Sequence, residues 1–161
     1  MLLGMSYSLL LAEDSEDDFH LIKTVFEMYE LPFVISHVEN GQQAWKYLCG
    51  EDAYSDRTRF PFPRLLLTDL KMPVWDGFEL IQRVRAKRQF DRLPMVLMSG
   101  CHQHDDRIRA LELGANSYVI KDLLLHSPHD IAAACVQLVE SYSPVHRPAK
   151  TEEQIRVSSN L

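Results

Sequence analysis

The sequence has few cysteines and few basic residues, and both shortages exclude classes of protein. The three cysteines, Cys49, Cys101 and Cys135, are widely separated and form no CxxC pair. Neither a disulfide framework nor a thiolate zinc site is therefore indicated, and a reducing cytoplasm is the expected location. With 17 lysines and arginines against 23 aspartates and glutamates, the formal net charge is −6. Such a chain lacks the basic surface that binds nucleic acid phosphates or anionic lipid, so we expect neither nucleic acid nor a membrane as a partner.

Long hydrophobic runs are also missing. No run approaches the ~20 apolar residues that a membrane-spanning helix needs. The apolar stretch that ends at Ala12 is interrupted by acids before it could serve as a signal sequence. What the chain does have is 161 residues with 46% hydrophobic content, which suits one domain with a sizeable core.

Short apolar runs alternate with segments of helical periodicity along the chain. The runs are nearly continuous in apolar character, as is typical of parallel strands that are covered on both faces. The clearest helix is the last, where Ile131, Cys135 and Leu138 recur on one face. This alternation predicts an α/β fold with a doubly wound parallel sheet. The predicted strands are Ser8–Ala12, Phe33–Val38, Leu65–Thr68, Met95–Met98 and Ser117–Ile120.

Two regions stand outside that alternation. Residues 50–63 form a polar and aromatic connection that is longer than the ~2 to 6 residues usual in such folds. We interpret it as a surface loop, with a contact surface as the alternative. Residues 143–161 are rich in proline, serine and charge, and they are too few to hold a core of their own. The sequence therefore predicts one domain over residues 1–142 and a largely disordered C-terminal tail over residues 143–161.

Acidic residues follow two of the predicted strands. Asp69 comes directly after Leu65–Thr68, and Glu13 and Asp14 come directly after Ser8–Ala12. Because ligands of such sheets bind beyond the carboxyl ends of the strands, we expect the three carboxylates to share one edge. Carboxylates at short range repel one another unless a cation neutralises them. Magnesium fits such a sparse site, since it takes one or two carboxylates plus phosphate oxygens.

Ser99 and Lys121 follow the fourth and fifth predicted strands, which places them at the same edge. A hydroxyl donor and a point positive charge both suit a phosphoryl group. Beside them, Asp69 could act as a nucleophile and form an acyl phosphate, with metal and lysine offsetting negative charge. The acids at 16–18 are interpreted differently, as a solvated helix start at the positive end of the helix dipole.

The ordered set of motifs resembles the receiver domain of bacterial two-component response regulators, over residues 7–142. Thirty positions separate Asp69 from Ser99, nineteen more lead to Tyr118, and three more lead to Lys121. The resemblance implies a flavodoxin-like sheet of five parallel strands in the order 2-1-3-4-5, with five helices. The motifs that carry it are Glu13-Asp14, Asp69 with Met72-Pro73 and Asp76-Gly77, Ser99-Gly100, and Tyr118-Val119-Ile120-Lys121.

The resemblance implies a phosphoryl acceptor and a metal site. Asp69 would receive the phosphoryl group from a histidine kinase or a phosphotransfer protein. Glu13 and Asp14 would hold Mg2+ together with Asp69 and the backbone carbonyl of Lys71. The domain would not be an enzyme with a separate substrate, although it would catalyse its own phosphorylation and dephosphorylation.

The resemblance also implies a conformational switch. Ser99 would bond the phosphoryl oxygens, and Lys121 would contact them as a cation. Tyr118 would be the switch aromatic, which moves inward as Ser99 is drawn toward the phosphate. Phosphorylation would thereby change the protein-binding surface that a downstream protein target recognises. A homodimer through the last helix and strand is a further expectation.

The leading hypothesis is a stand-alone response regulator of a phosphorelay. Its long connection at residues 50–63 is similar to that of single-domain regulators paired with phytochrome-type histidine kinases. One departure from the family favours an alternative, because Asp122 follows Lys121 where the family has proline. That alternative is a receiver-like interaction module that works without phosphorylation. A hydrolase like the haloacid dehalogenase phosphatases ranks last, since those have a second Asp where this chain has Lys71.

Overall fold

Five parallel strands form a single sheet in the computed structural model, which describes residues 6–142. Their order is 2-1-3-4-5, as the sequence predicted. The first and last residues of each strand agree with the predicted bounds to within one residue. Asp69 and Ser99 are the last residues of their strands rather than the first residues beyond them. The strands are β1 (Tyr7–Ala12), β2 (Phe33–Val38), β3 (Leu65–Asp69), β4 (Met95–Ser99) and β5 (Ser117–Ile120).

Six α-helices are present in residues 6–142, one more than the five expected. The additional helix is a short one that begins directly at Lys121. Asp122 keeps the backbone N–H that a proline would lack, and its charge suits a first helical turn. Pro128 then begins the next helix at a position where proline is tolerated. The helices are α1 (Glu16–Met28), α2 (Gly41–Cys49), α3 (Gly77–Arg85), α4 (His104–Leu113), α5 (Lys121–His126) and α6 (Pro128–Ser141).

The core lies on both faces of the sheet, because successive strand residues point to opposite sides. Leu10 packs on one face of the sheet with residues of α2, α3 and α4. Leu9 and Leu11 pack on the other face with residues of α1 and α6. All three leucines are at most 1% exposed. Each such side chain contributes roughly 1.5–3 kcal/mol when it leaves water. This burial holds the strand ends, and hence the residues that follow them, in fixed positions.

The connection before β3 is held to α2 by Arg57. Its guanidinium donates to the carbonyl oxygens of Tyr47 at 2.8 Å and Leu48 at 2.7 Å, near the end of α2. Tyr54 and Phe60 pack their rings near that of Tyr47, with centroids 5.1 and 5.9 Å away. The predicted surface loop thus follows a defined path. It contains a short 3-10 helix at Asp52–Tyr54.

Tyr142 caps the end of α6 by donating its backbone N–H to the carbonyl oxygen of Leu138 at 3.1 Å. The predicted tail, residues 143–161, lies outside the described residues, so its disorder stays a prediction. Among residues 6–142, no helix is both long enough and apolar enough to cross a membrane.

Candidate functional site

Three carboxylates meet at the carboxyl edge of the sheet. Glu13 and Asp14 follow β1, and Asp69 ends the neighbouring β3, whose pairing with β1 places Ala12 beside Thr68. One carboxylate oxygen from each of the three acids lies within 4.8 Å of the others. We call Glu13, Asp14 and Asp69 the acidic cluster. The fold thus brings together the three acids that the sequence singled out.

Burial makes the negative charge of the acidic cluster costly. Glu13 is fully buried and Asp69 is 6% exposed, whereas Asp14 is exposed. Burial raises the pKa of Glu13; Lys121 lowers it in part, and the charge of Asp69 raises it further. Burial likewise raises the pKa of Asp69, with Lys121 opposing it. One lysine therefore does not balance the cluster, and a further cation would stabilise its ionised form.

Lys121, the first residue of α5, directs its ammonium group into the acidic cluster. Its Nζ lies 2.7 Å from Glu13 Oε2 and 3.1 Å from Asp69 Oδ1, and its side chain is 18% exposed. A third carboxylate, Asp18 Oδ2, lies 2.6 Å away. Burial alone lowers the pKa of Lys121, but its contacts with Asp18 and Glu13 and the charge of Asp69 outweigh burial and raise it. The lysine is therefore a permanent cation at neutral pH.

The surroundings of Glu13 Oε2 are compatible with a metal ion at the acidic cluster. The other oxygen, Oε1, accepts a hydrogen bond from the backbone N–H of Ser15 at 3.1 Å. Oε2 pairs with Lys121 without hydrogen-bond alignment. Among the buried side-chain nitrogen and oxygen atoms in the described part of the chain, it alone has no hydrogen-bond partner. Carboxylate oxygens are the ligands that Mg2+ and Mn2+ prefer, and Asp14 leaves this set open to solvent.

Ser99 and Tyr118 are connected through Cys101. Ser99 ends β4 and is 3% exposed, and its Oγ accepts a hydrogen bond from the backbone N–H of Cys101 at 3.3 Å. The Tyr118 hydroxyl donates to the carbonyl oxygen of Cys101, also at 3.3 Å. A displacement of Ser99 would therefore disturb the residue that holds Tyr118. Cys101 was not among the site residues predicted from the sequence. Its position two residues after Ser99 was the available signal.

A cleft of about 320 Å³ opens beside Asp69 and is large enough for a phosphoryl group. Lys71 is exposed along its wall. The loop that carries Lys71 is closed by Gly77, whose N–H donates to the carbonyl oxygen of Leu70 at 2.8 Å. A Cβ on Gly77 would lie 2.5 Å from the carbonyl oxygen of Asp69, so only glycine fits there. The cleft is lined by Asp69, Leu70, Lys71, Ser99, Gly100, Cys101 and Lys121.

Asp122 does not line this cleft. It is exposed in the first turn of α5, and its carbonyl oxygen contacts His126 Nδ1 at 2.7 Å. Of the leucines that follow, Leu124 is buried, while Leu123 and Leu125 are 42% and 45% exposed. Asp122 therefore does not prevent the contact between Lys121 Nζ and Asp69 Oδ1.

Asp18 corrects one interpretation of the sequence, since it is not merely part of a solvated helix start. It is half-buried and bonds Lys121, which lies 103 positions away in the chain. The sequence signal for this role was the position of Asp18. Ser15 caps α1, so Asp18 lies in the first turn of that helix, just beyond the end of β1. Helical periodicity alone could not show which residue it would meet.

Comparisons with known proteins show the family to which the chain belongs. Residues 9–133 match the model of the response regulator receiver domain, and the chain belongs to this family. Response regulator Rcp1 of Synechocystis sp. is 30% identical over 113 residues, which cover 70% of this chain and 75% of Rcp1. Receiver domains of two-component systems are signalling phosphoacceptors. They bind Mg2+ or Mn2+ at an acidic site and interact with histidine kinases or phosphotransfer proteins.

Two solved structures show the same fold. The phosphorylated cyanobacterial phytochrome response regulator RcpA matches with a TM-score of 0.71 and 26% identity, over 86% of this chain and 97% of RcpA. The Mn2+-bound form of Rcp1 matches with a TM-score of 0.65 and 26% identity, over 82% of this chain and 91% of Rcp1. The flavodoxin-like receiver fold predicted from the sequence is thereby confirmed.

Proposed function

We propose that Asp69 accepts a phosphoryl group from a histidine kinase or a phosphotransfer protein in a Mg2+-dependent reaction. The observation that carries the proposal is the position of Asp69 Oδ1, 3.1 Å from Lys121 Nζ and beside an open cleft. A buried carboxylate next to a permanent cation is suited to receive a group that carries negative charge. In this proposal the domain is a phosphoacceptor rather than an enzyme with a separate substrate.

The acidic cluster supports the metal requirement. Glu13, Asp14 and Asp69, with the backbone carbonyl of Lys71, would hold Mg2+. When bound, the ion offsets the charge of the carboxylates and of the phosphoryl oxygens. Glu13 Oε2 supports this assignment, because its contact is the ion pair with Lys121 and it accepts no hydrogen bond, which is costly for a buried carboxylate oxygen.

The transfer requires one bond to form and one to break. An oxygen of the Asp69 carboxylate attacks phosphorus, and the P–N bond of a phosphohistidine donor breaks. The histidine nitrogen keeps the electron pair of that bond, and the imidazole leaves after taking one proton from solvent. Lys121 remains protonated, because its raised pKa keeps it charged, and it faces the oxygens of the transferred group. The Ser99 hydroxyl donates to one of those oxygens.

Signalling would follow from the connection between Ser99 and Tyr118. When Ser99 turns toward the phosphoryl group, its hydrogen bond with Cys101 changes, and Cys101 is also the partner of Tyr118. An inward rotation of Tyr118 would then change the surface formed by α4 and β5. The phosphorylated domain would present this surface to a downstream protein, or to a second copy of the chain as a homodimer.

The phosphodonor is proposed to be a sensor histidine kinase of the phytochrome type. RcpA, a cyanobacterial phytochrome response regulator, is similar to this chain over nearly all of its own length. We take residues 1–142 as the receiver domain, because α6 packs on the sheet through Cys135 and Val139, in its last turns. The stand-alone arrangement and the cytoplasmic location stay predictions.

Incubation with acetyl phosphate and Mg2+ tests the acceptor role. We expect wild-type protein to gain one acid-stable, base-labile phosphoryl group, only when the metal is present. Asp69→Asn should abolish labelling. Asp17→Asn, which removes one carboxylate charge from an exposed position in α1, should leave it unchanged. Intact mass spectrometry measures the stoichiometry, and peptide mapping after borohydride trapping measures the site.

Other outcomes would indicate other functions. Continuous release of phosphate from acetyl phosphate would indicate a hydrolase. Absence of labelling, together with intact partner binding, would indicate an interaction module that works without phosphorylation. The sequence feature that favoured the module was Asp122, which the structure places outside the cleft.

A further inference from the structure

Asp18 makes the tightest contact of the Lys121 ammonium group. The Nζ–Oδ2 distance is 2.6 Å, against 2.7 Å to Glu13 and 3.1 Å to Asp69. Lys121 donates a side-chain hydrogen bond to Asp18 at this distance, and of its carboxylate contacts this one contributes most to raising the pKa of the lysine. Hydrogen bonds between charged partners are both shorter and stronger than neutral ones. An acid outside the acidic cluster therefore takes part in holding the lysine.

The start of α1 leaves Asp18 free to make this contact. Ser15 caps the helix by accepting the backbone N–H of Asp18 at 3.2 Å, which makes Asp18 the third helical residue. In a capping box, the acid at this position would bond back to the N–H of the cap residue. Here the Ser15 N–H donates to Glu13 instead, at 3.1 Å. The side chain of Asp18 is thus available to reach α5.

The contact also restricts the direction of the ammonium group. An ammonium has three N–H donors, and a lysine side chain is flexible along its four-carbon stem. When the ammonium group is fixed on Asp18, Glu13 Oε2 at 2.7 Å and Asp69 Oδ1 at 3.1 Å are the other carboxylate oxygens that it contacts. Without Asp18, the ammonium could rotate away from Asp69 toward the fully buried charge of Glu13.

We propose that Asp18 is a positioning residue, which holds Lys121 so that part of its charge faces Asp69 and the incoming phosphoryl group. The proposal rests on the phosphoacceptor function proposed above. It differs from a merely structural role, in which Asp18 stabilises the start of α1 as any acid in the first turn does.

Matched neutral variants separate the two roles. Asp18→Asn and Asp17→Asn each remove one charge from the first turn of α1, but Asp17 makes no ion pair with Lys121 in the described structure. We expect the rate of labelling by acetyl phosphate to fall about tenfold in Asp18→Asn, since a charged hydrogen bond is lost and Lys121 loses its orientation. Asp17→Asn should stay within about twofold of wild type. Asp18→Glu should recover most of the rate, because it restores a carboxylate.

The ammonium signal of Lys121 in nitrogen-detected NMR gives a readout that needs no phosphorylation. Hydrogen-bonded ammonium protons exchange slowly, so we expect a visible signal in wild type and in Asp17→Asn, and its loss in Asp18→Asn. An unchanged Lys121 signal in Asp18→Asn would overturn the proposal, as would an equal loss of rate in Asp17→Asn. If wild-type protein is not labelled at all, the proposed function fails, and the NMR signal still decides whether Asp18 holds Lys121.

Discussion

A partly buried cation lies at each end of the sheet, Arg85 at the amino end and Lys121 at the carboxyl end, and the two have different kinds of partner. At the amino end, Arg85 donates four hydrogen bonds to neutral oxygens at 2.9 to 3.0 Å. The fixed fork of a guanidinium suits such an arrangement, in which every partner has its own donor. These acceptors are the carbonyl oxygens of Gly114, Phe90 and Leu93 and the side-chain oxygen of Asn116.

At the carboxyl end, Lys121 meets three carboxylates, and Glu13 still has an oxygen without a hydrogen bond. Burial lowers the pKa of Arg85, whereas the carboxylates raise that of Lys121. The amino end is satisfied as it stands and so contributes stability. The carboxyl end carries excess negative charge, so it contributes less to the stability of the folded protein than the amino end does. The same charge suits the site to bind a cation together with a phosphoryl group.

Three non-glycine residues in the described part of the chain have a positive φ, and Val74 is the β-branched one. Val74 has a φ of 67°, in the left-handed region that β-branched residues rarely adopt. It belongs to the loop that carries Lys71 between β3 and α3, and its side chain is 65% exposed. Packing does not explain this valine, and a strained loop beside a functional site is a common arrangement.

The largest effect is expected at the amino end. Arg85→Lys keeps the positive charge but loses the planar guanidinium. The carbonyl oxygens in the loops before β4 and β5 then lose the hydrogen bonds that Arg85 donates to them. We expect the free energy of unfolding to fall by ~2–3 kcal/mol, measured by urea denaturation. Below the unfolding transition, phosphoryl labelling of Asp69 should persist. A loss of labelling without loss of stability would show that the two ends are not separate in function.

At the carboxyl end, Lys121→Met removes the cation and retains much of the side-chain volume. Without Mg2+ we expect a loss of ~2 kcal/mol, because buried carboxylates are left without a positive partner. Saturating Mg2+ should restore more stability to this variant than to wild type, since the ion replaces the missing charge. Equal stabilisation of both proteins by Mg2+ would contradict the view that lysine and metal neutralise the same acids.

The raised pKa values of Glu13 and Asp69 predict how stability depends on pH. The stability contributed by a group with a raised folded-state pKa is fully present below its ordinary value, about 4 for these acids, and is lost as pH rises through the folded-state pKa. Metal-free protein should therefore be less stable at about pH 8 than at about pH 5, as far as these two groups contribute.

Since Mg2+ must displace the protons, its stabilisation should be larger at the higher pH, by ~1 kcal/mol. Thermal unfolding with and without Mg2+ at both pH values measures the difference. In Asp69→Asn the difference should shrink, because one of the two groups no longer titrates. A larger effect of Mg2+ at the lower pH would show that the acids are ionised there.

The smallest effect concerns the strained loop. Val74→Gly should raise the free energy of unfolding by ~0.5–1 kcal/mol, because glycine adopts a positive φ without strain. Val74→Ala is the matched control, since it shortens the exposed side chain but keeps a Cβ, and it should gain little. If both variants gain equally, the side chain rather than the backbone conformation is the source of the cost.

Much of the site could be predicted because strand ends are a local property of the sequence. Apolar runs placed the five strands to within one residue, and parallel strands deliver the residues that follow them to one edge. Glu13, Asp69, Ser99 and Lys121 all reached that edge for this reason. The extra helix α5 was missed because its six residues are too few for periodicity to show.

The sequence by itself determined which residues reach the carboxyl edge, since that depends on where apolar runs stop and on the parallel order of the strands. Only the tertiary structure decided which of them touch. Asp18 and Lys121 are separated by 103 positions, and no local pattern relates the first turn of α1 to the start of α5. The unequal burial of Glu13 and Asp14, adjacent in the chain, was decided in the same way, because two acids of the same chemistry differ in exposure through the elements that pack against them.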